Sequence, residues 1–514
     1  MAKILWIDDE IDMLRPHIIF LESKGYHLDT INNGNDALDM IHEDNYDLIF
    51  LDENMPGLSG IEVLSEIKKI NSVLPVIMIT KSEEESIMEE AIGSNIADYL
   101  IKPVNPNQIL LAIKKNMDAS QIISDKNTMD YQMEFRNIGM EISNNIDYQD
   151  WVAIYKKLVN WEMKLEKSQD NNILNIFQMQ KDEANSVFSN FVAKRYIDWL
   201  HDDDNRPIQS QTVFRKKVLP QLSKQRPTFL FVIDNLRYDQ WKAIYPIISE
   251  LFRIVDDDIY YSILPTTTQY ARNSFFSGLM PSEIAKKYPQ YWVDEHAEGT
   301  KNQYEKELLQ TQLKRLGKDI NFSYNKILNL SQGKKLVENM HSLLKNELNV
   351  IVYNFVDMLS HARTEMEVIK ELASDEKAYR SLTLSWFNNS PLYEMMRFVA
   401  EKKGKMMITT DHGSVRVKKP VKVIGDRDTN TNLRYKFGRN LNYKAKEVFE
   451  VSNPEDIFLP RINISTKYIF SKGSDFFAYP NNFNYYSNYY KDTFQHGGVS
   501  MEEVLIPFIT LSAK

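Results

Sequence analysis

Six acidic and histidine side chains in the C-terminal half of the chain are of the types that hold metal ions. They are Asp234, Asp357, His361, Asp411, His412 and His496. Carboxylates and imidazoles together suit Zn²⁺, and Mn²⁺ fits similar ligands. A turn of three threonines, residues 266–268, offers hydroxyl groups as well. This combination predicts two adjacent metal sites beside a hydroxyl nucleophile, an arrangement suited to in-line displacement at phosphorus.

Three of these residues follow apolar runs that predict buried strands. Asp234, Asp357 and Asp411 each come directly after such a run. Helical patterns separate the runs, which indicates an α/β sheet whose carboxyl edge binds ligands. The sequence therefore predicts that the three carboxylates meet at one edge of the sheet.

Local spacing brings the histidines toward the same edge. His361 lies four residues after Asp357, so one helical turn or a compact loop lets both reach a single ion. Asp411 and His412 are adjacent and need a bend, which Gly413 permits. His496 lies in a flexible Gln-His-Gly-Gly turn.

The N-terminal third contains a second set of residues suited to phosphate chemistry. Apolar runs there end at the pair Asp8 and Asp9, at Asp52, at Thr80 and at Lys102. Apolar strands alternating with helices predict a parallel sheet covered on both faces. Three carboxylates at one place repel one another, and Mg²⁺ with oxygen ligands compensates them. Asp52 is then a candidate nucleophile toward a phosphoryl donor, with Lys102 and Thr80 contacting the phosphoryl oxygens.

This set resembles the receiver domain of two-component response regulators over residues 1–120. Asp52 is followed by Glu-Asn-Met-Pro-Gly, the typical continuation. The resemblance implies a flavodoxin-like domain with a five-stranded parallel sheet, one Mg²⁺, and phosphorylation of Asp52 through a cognate sensor histidine kinase. It further implies that the backbone carbonyl of Asn54 is a metal ligand and that Tyr99 is the switch aromatic.

The middle of the chain, residues 121–215, shows no strand pattern and almost no glycine or proline. Trp151, Leu158 and Leu165 belong to a series of apolar residues at alternating spacings of three and four. This period is typical of an amphipathic helix. An all-α linker bundle with an aromatic core is predicted.

Residues 216–514 resemble the PglZ-type branch of the alkaline phosphatase superfamily. The resemblance implies an alkaline-phosphatase-like α/β domain with two Zn²⁺ and zinc-dependent phosphodiesterase activity. It assigns one zinc to Asp234, Asp411 and His412, with Thr268 bridging toward it, and the other to Asp357, His361 and His496.

Within the threonine turn, Thr268 is the predicted nucleophile. Related phosphodiesterases keep a Pro-Thr-x-Thr turn with a glycine ten residues beyond the nucleophile, and Pro265 and Gly278 fit that spacing. Thr266 and Thr267 remain alternatives.

The phosphate contacts depart from the family pattern. The Asn common three residues after the nucleophile is Ala271 here, so Arg272 and Asn273 are candidates to hold the phosphate. Arg434 and Lys436 are further candidates, because residues 401–450 carry 13 Lys/Arg against 6 Asp/Glu and interleave them with aromatics. Such a segment binds a phosphate backbone and stacks bases, or is merely a solvated basic strand or loop. The Asn- and Tyr-rich residues 482–490 are predicted to be a loop without a role.

Composition limits the classes of function. The chain has 514 residues and no Cys, which excludes disulfides and thiolate zinc sites. The first 120 residues hold 22 Asp/Glu against 9 Lys/Arg, and the net charge of −9 does not favour duplex DNA binding. We see no signal peptide and no apolar run of membrane-spanning length, so a cytoplasmic location and no membrane span are expected.

The order of receiver, helical linker and PglZ domain resembles PorX-type response regulators of Bacteroidota, which are associated with type IX secretion and gliding. The resemblance implies a zinc-dependent phosphodiesterase that acts on oligonucleotides or cyclic oligonucleotides and forms a homodimer on phosphorylation. One alternative is a non-catalytic signalling scaffold that binds a sigma factor or secretion component and keeps a structural zinc site. Another is a phosphomonoesterase or phosphomutase on the same fold.

Overall fold

The computed structural model describes residues 2–71, 74–81, 96–144, 146–166, 171–202, 204–295, 297, 299–359, 373, 375–426, 429–461 and 463–514. The chain divides into two compact units, the first within Met1–Asp130 and the second within Tyr131–Glu166 and Asp170–Lys514. Among the described residues, no helix has both the length and the apolar character needed to span a membrane.

The first unit is a parallel sheet with helices on both faces. Its strands are β1 (Lys3–Ile7), β2 (His27–Ile31), β3 (Leu48–Asp52), β4 (Val76–Thr80) and β5 (Asp98–Ile101). Its described helices are α1 (Arg15–Ser23), α2 (Gly34–Glu43), α3 (Gly60–Ile70) and α4 (Pro106–Ile113). All strands are parallel in the order β2-β1-β3-β4-β5, which confirms the predicted five-stranded receiver fold.

Helix α3 begins directly beside the end of β3. Ser59 and Glu62 form a capping box that fixes its first turn. A Cβ atom at Gly60 would lie 2.4 Å from the carbonyl oxygen of Asp52, so only glycine allows this approach. The short loop between β3 and α3 therefore holds the end of β3 in place.

Three long helices open the second unit. They are α5 (Ala119–Ser143), in which the boundary between the units falls, α6 (Tyr148–Leu165) and α7 (Asn171–His201). Aromatic side chains pack in their core, as where the rings of Trp151 and Phe188 meet edge to face with centroids 5.2 Å apart. The predicted all-α linker with an aromatic core is confirmed.

The remaining strands of the second unit, in chain order, are β6 (Thr228–Ile233), β7 (Phe252–Tyr261), β8 (Phe322–Ile327), β9 (Leu348–Tyr353), β10 (Lys405–Thr409), β11 (Val415–Arg416), β12 (Lys419–Lys422), β13 (Tyr435–Gly438), β14 (Val448–Val451), β15 (Lys467–Ser471), β16 (Asp475–Ala478), β17 (Phe494–Gln495) and β18 (Leu505–Ala513).

The helices of this part are α8 (Ser210–Val213), α9 (Tyr238–Ile248), α10 (Asn273–Ser277), α11 (Pro281–Lys287), α12 (Glu305–Arg315), α13 (Leu330–Leu343), α14 (Glu376–Asn388), α15 (Pro391–Glu401), α16 (Phe483–Tyr490) and α17 (Met501–Val504). The segment predicted to be a loop forms α16, so that prediction is wrong. Tyrosine pairs four residues apart stack along this helix, and such pairs stabilise helices.

A six-stranded mixed sheet forms the core of the second unit, in the order β7-β18-β10-β6-β9-β8. Strands β10, β6, β9 and β8 run parallel, and β18 is antiparallel to both of its neighbours. Every residue of β6 and β9 is buried, which explains why these strands read as continuous apolar runs. Strand β9 ends at Tyr353, and residues 355–359 are helical. Asp357 therefore lies about one helical turn beyond the end of the strand and not directly after it, as was predicted.

Candidate metal centres and phosphorylation site

The acidic side chains of the first unit meet at the carboxyl edge of its sheet. Ligand oxygens of Asp8, Asp9 and Asp52 lie within 4.8 Å of one another. Nζ of Lys102 lies 2.9 Å from Oδ2 of Asp8 and 3.1 Å from Oδ2 of Asp52. Burial, and then the charge of Asp8, raise the pKa of Asp52 to about 6. A divalent cation relieves this repulsion, so the all-oxygen donor set fits Mg²⁺.

Thr80 lies buried at the end of β4, where the sequence predicted a phosphate contact. Its hydroxyl donates a hydrogen bond to the carboxylate of Glu53, and it also hydrogen-bonds with the partly buried phenol of Tyr99. Sequence reasoning missed Glu53, although its position directly after Asp52 was a signal. Asn54 follows it at the surface, and its role as a carbonyl ligand stays a prediction.

Two adjoining clusters of metal-ligand side chains form in the second unit. Asp234, Asp411 and His412 make one cluster, while Asp357, His412 and His496 make the other. In each cluster the ligand atoms lie within 4.8 Å of one another. Because His412 belongs to both, the two clusters are neighbours. His361 lies outside the described residues.

The two histidines are oriented for coordination by their backbone contacts. Nδ1 of His412 lies 3.1 Å from the carbonyl oxygen of Gly413, and Nδ1 of His496 lies 3.2 Å from that of Thr266. Because a carbonyl only accepts, both Nδ1 atoms carry the proton. Each Nε2 then presents its lone pair to the carboxylates, 3.7 Å from Oδ1 of Asp234 for His412 and 3.7 Å from Oδ1 of Asp357 for His496. This is the tautomer of a metal ligand.

Burial shapes the charge states of the first cluster. It raises the pKa of Asp234 and of Asp411, and repulsion from Asp357 raises both further. Burial also lowers the pKa of His412, which favours the neutral ring. Oδ2 of Asp411 is buried without a hydrogen-bond partner among the described residues. Neutral imidazoles and crowded carboxylates are the donor set that fits a divalent ion such as Zn²⁺.

Only one hydroxyl of the threonine turn contacts these clusters in the described structure. Oγ1 of Thr268 lies 3.1 Å from Nε2 of His412 and 3.4 Å from Oδ1 of Asp234. Thr266 instead bonds the backbone of residues 497–498 and so fixes the loop that carries His496. The hydroxyl of Thr267 is buried without a hydrogen-bond partner among the described residues.

Arg272 reaches the first cluster from the helical turn that starts at Thr268. Its buried Nη1 lies 3.0 Å from Oδ2 of Asp234, and its Nε lies 2.7 Å from Oε1 of Glu305. Asn273 instead donates its amide to the carbonyl of Lys301 at 3.2 Å. Of these two phosphate candidates, Arg272 is therefore the one that the structure brings to the cluster. Sequence reasoning missed Glu305.

The proposed basic surface around residues 434–436 is wrong. Arg434 is fully buried, with Nη2 2.5 Å from Oε2 of Glu503. Lys436 is also buried, where it donates to the carbonyl of Asn430 at 2.6 Å, and burial lowers its pKa to about 8. Both charged groups are buried and contact protein groups inside the domain, so neither side chain presents a phosphate-binding face.

A buried charge network joins the linker helices to the loops around the clusters. Nζ of Lys181 on α7 lies 2.8 Å from Oε2 of Glu162 on α6 and 3.3 Å from Oε1 of Glu502. A Cβ atom at Gly413, the residue after His412, would lie 2.1 Å from the backbone oxygen of Glu502. The linker therefore packs, through Glu502, against the backbone that carries His412.

Three known domain families match successive parts of the chain. The BREX system PglZ alkaline phosphatase-like domain matches residues 213–511, more than half of the chain. The PorX response regulator linker domain matches residues 121–200, and the response regulator receiver domain matches residues 4–114.

Curated relatives match the receiver portion. The transcriptional regulatory protein ResD of Bacillus subtilis is 38% identical over 113 residues, which cover 22% of this chain and 47% of ResD. A homolog of the transcriptional regulatory protein CpxR from Haemophilus influenzae is 34% identical over 148 residues, which cover 28% of this chain and 63% of that protein. The chain thus spans about half to two thirds of the length of these relatives.

Solved structures match the same portion. A CheY-like receiver domain protein from Methanospirillum hungatei is 26% identical with a TM-score of 0.23, and the match covers 23% of this chain and 95% of that one. A receiver domain protein from Clostridium thermocellum is 31% identical with a TM-score of 0.23, and the match covers 24% and 98%. With receiver, linker and output domain in this order, the chain belongs to the PglZ alkaline phosphatase-like family as a PorX-type two-component response regulator.

Proposed function

We propose that the output domain is a zinc-dependent phosphodiesterase that cleaves oligonucleotides or cyclic oligonucleotides. The observation that carries this proposal is the hydroxyl of Thr268, 3.1 Å from Nε2 of His412, the residue shared by both clusters. A hydroxyl at the junction of two metal-ligand sets is suited to attack on phosphorus. The family assignment supports a hydrolase of the alkaline phosphatase superfamily.

Two divalent ions are proposed to bind at the adjoining clusters. Asp234, Asp411 and His412 would hold one, while Asp357 and His496, together with His361, would hold the other. Bound ions supply charge neutralisation and lower the pKa of a nearby hydroxyl. The contacts of both Nδ1 atoms with backbone carbonyls, which leave each Nε2 facing the carboxylates, support this ligand set.

Thr268 is proposed to act as the nucleophile. Its Oγ1 forms a bond to phosphorus while the bond to one ester oxygen breaks, and that oxygen leaves as an alcohol after taking a proton. Water then attacks the same phosphorus, frees Oγ1 and releases a phosphomonoester. The guanidinium of Arg272, 3.0 Å from Asp234, is proposed to orient the non-bridging oxygens.

The receiver domain implies a cognate sensor histidine kinase. We propose that Asp52 accepts the phosphoryl group with Mg²⁺ held by Asp8, Asp9, Asp52 and the carbonyl of Asn54. Lys102, which already bridges Asp8 and Asp52, would pair with the phosphoryl oxygens. Thr80 would then move from Glu53 toward the phosphoryl group, Tyr99 would follow, and a homodimer would form. Control of type IX secretion and gliding is proposed for the whole protein.

Turnover of two chromogenic esters tests the proposed activity. Purified full-length protein is assayed on bis(p-nitrophenyl) phosphate and on p-nitrophenyl phosphate, each with added Zn²⁺ and with a chelator. Faster zinc-dependent turnover of the diester supports the proposal. Preference for the monoester would instead indicate a phosphomonoesterase, and zinc binding without any turnover would indicate a signalling scaffold.

A further inference from the structure

Helix α16 presents an unusual surface of aromatic rings. Tyr485 and Tyr489 lie nearly parallel, with centroids 6.1 Å apart at 15°, and Tyr486 and Tyr490 do the same at 6.2 Å and 14°. The first three positions, Tyr485, Tyr486 and Tyr489, are 64%, 39% and 38% exposed. Several large rings exposed together on one short helix are typical of a binding surface rather than of a solvated face.

The helix is held firmly enough to serve as a platform. Phe483 and Tyr490, at its two ends, pack against a small core cluster that contains Val415 and Val417. Two residues after the helix ends, the backbone of residues 492–493 forms two hydrogen bonds with the backbone of Val417. The outward-facing tyrosines are therefore presented from an anchored element.

Positive charge flanks this surface. Nζ of Lys422 lies 5.7 Å from the ring centroid of Phe483, and Lys491 directly follows the helix at the surface. Within the described part of the chain, neither lysine has an ion-pair partner. The neighbouring basic residues differ, since Arg416 pairs with Asp492 and Lys418 pairs with Asp182. The two unpaired lysines leave a net positive charge beside the rings.

The aromatic surface lies close along the chain to the proposed metal centre. Strands β11 and β17 pair so that Val415, a member of the core cluster against which Tyr490 packs, lies opposite Gln495. His412 is three residues before Val415, and His496 directly follows Gln495. Three extended residues span at most about 11 Å. A short oligonucleotide can therefore reach both places.

We propose that the tyrosines of α16 are a stacking subsite for a single-stranded oligonucleotide whose cleaved bond lies at Thr268. Exposed aromatic rings beside uncompensated cations are the elements of sequence-tolerant single-strand binding, in which bases stack on the rings and phosphates meet the cations. A duplex keeps its bases inside and cannot use the rings. The inference rests on the proposed phosphodiesterase function and names the part of the domain that binds the oligonucleotide away from the cleaved bond.

Length dependence and direct binding test the subsite. Full-length protein and the Tyr485→Ala/Tyr489→Ala variant are compared by kcat/KM on a dinucleotide and on an eight-nucleotide single strand. We expect the octamer-to-dinucleotide ratio to fall at least about tenfold in the variant, since stacking contributes strongly per base. The variant Tyr485→Phe/Tyr489→Phe keeps the rings and should retain the ratio. Thermal unfolding reports whether each variant folds.

Binding is measured separately with fluorescein-labelled octathymidylate in a chelator, so that it does not depend on turnover. The wild-type protein should bind it at least about tenfold more tightly than the double-alanine variant does. Equal binding by a folded variant, with wild-type turnover intact, overturns the subsite and leaves the proposed activity standing. Tyrosine-dependent binding without any turnover overturns the activity and leaves the subsite standing.

Discussion

At the scale of single residues, the proposed mechanism depends on which atom attacks phosphorus. Thr268 is the one hydroxyl of its turn that the described structure brings to the shared His412. Thr266 is occupied in holding the loop of His496 through the backbone of residues 497–498. The two threonines therefore differ in role although they are two residues apart.

A trapped intermediate tests the role of Thr268. Acid quenching during turnover of a diester, followed by peptide mass spectrometry, should find the phosphoryl group with its remaining ester on the peptide that contains Thr268. Thr268→Ala should carry no adduct and should lose about a thousandfold or more in kcat, as removal of a covalent nucleophile generally does. An adduct on Thr267, or full activity of Thr268→Ala, would assign the nucleophile elsewhere.

The raised pKa of Asp52 predicts how Mg²⁺ binding depends on pH. Below about pH 6 this carboxyl is protonated and must lose its proton to bind a cation. Affinity for Mg²⁺ should therefore rise about tenfold for each pH unit up to about 6 and then level off. A Mg²⁺ titration monitored by the fluorescence of the receiver's buried Trp6 measures this affinity at each pH. An affinity that is flat between pH 5 and pH 7 would contradict the assigned cause.

At the scale of elements, the linker helices are structural parts of the output domain. Lys181 on α7 is buried between Glu162 and Glu502. The next residue, Asp182, makes an exposed ion pair with Lys418, 2.9 Å between Oδ2 and Nζ. The two neighbours thus offer a matched comparison of a buried and an exposed charge.

Replacement of Lys181 should destabilise this unit much more than replacement of Asp182. Lys181→Met removes the cation that Glu162 and Glu502 share and leaves them only Arg380 and Asn185 as partners, and breaking a buried ion pair typically costs about 3–5 kcal/mol. Asp182→Ala removes an exposed pair and should cost about 0–1 kcal/mol. Chemical denaturation followed by tryptophan fluorescence measures both. Equal losses would show that the network contributes no more than a surface ion pair.

Sequence patterns predicted the strands and helices better than they predicted which side chains contact one another. Strands β6 and β10 read as apolar runs, so the positions of Asp234 and Asp411 after strands could be predicted directly. The burial of Arg434 could not be predicted in this way, because its partner Glu503 lies 69 residues further along the chain. Helix α16 was missed because its sequence consists mostly of Asn and Tyr and lacks the aliphatic stripe by which an amphipathic helix is recognised.

At the scale of the whole molecule, one chain combines a receiver with a hydrolase-like domain of the alkaline phosphatase superfamily. Its acidic first 120 residues contrast with a remainder of net charge +4. This asymmetry agrees with metal and phosphoryl chemistry in the first part and with an anionic substrate in the second. The proposed function therefore links two phosphate reactions. Phosphorylation of Asp52 sets the state of the receiver, and cleavage of a phosphodiester in the output domain follows from that state.

Phosphorylation at Asp52 should change the oligomeric state. With Mg²⁺ and beryllofluoride, a mimic of the phosphoryl group, the wild-type chain is expected to become a dimer by light scattering after size exclusion. Asp52→Ala removes the acceptor and should stay in the unactivated state under the same conditions. A variant that dimerises as the wild type does would contradict control through this residue.

Cleavage of a short oligonucleotide by the purified full-length chain is the direct measure of the proposed phosphodiesterase activity. It is measured with Zn²⁺, with a chelator, and with Thr268→Ala whose bound zinc is quantified. We expect zinc-dependent cleavage by the wild-type protein and a loss of at least about a thousandfold in the rate of cleavage by the variant, with zinc retained. Zinc bound in the wild-type protein without cleavage of any diester would contradict it and leave the domain as a signalling scaffold.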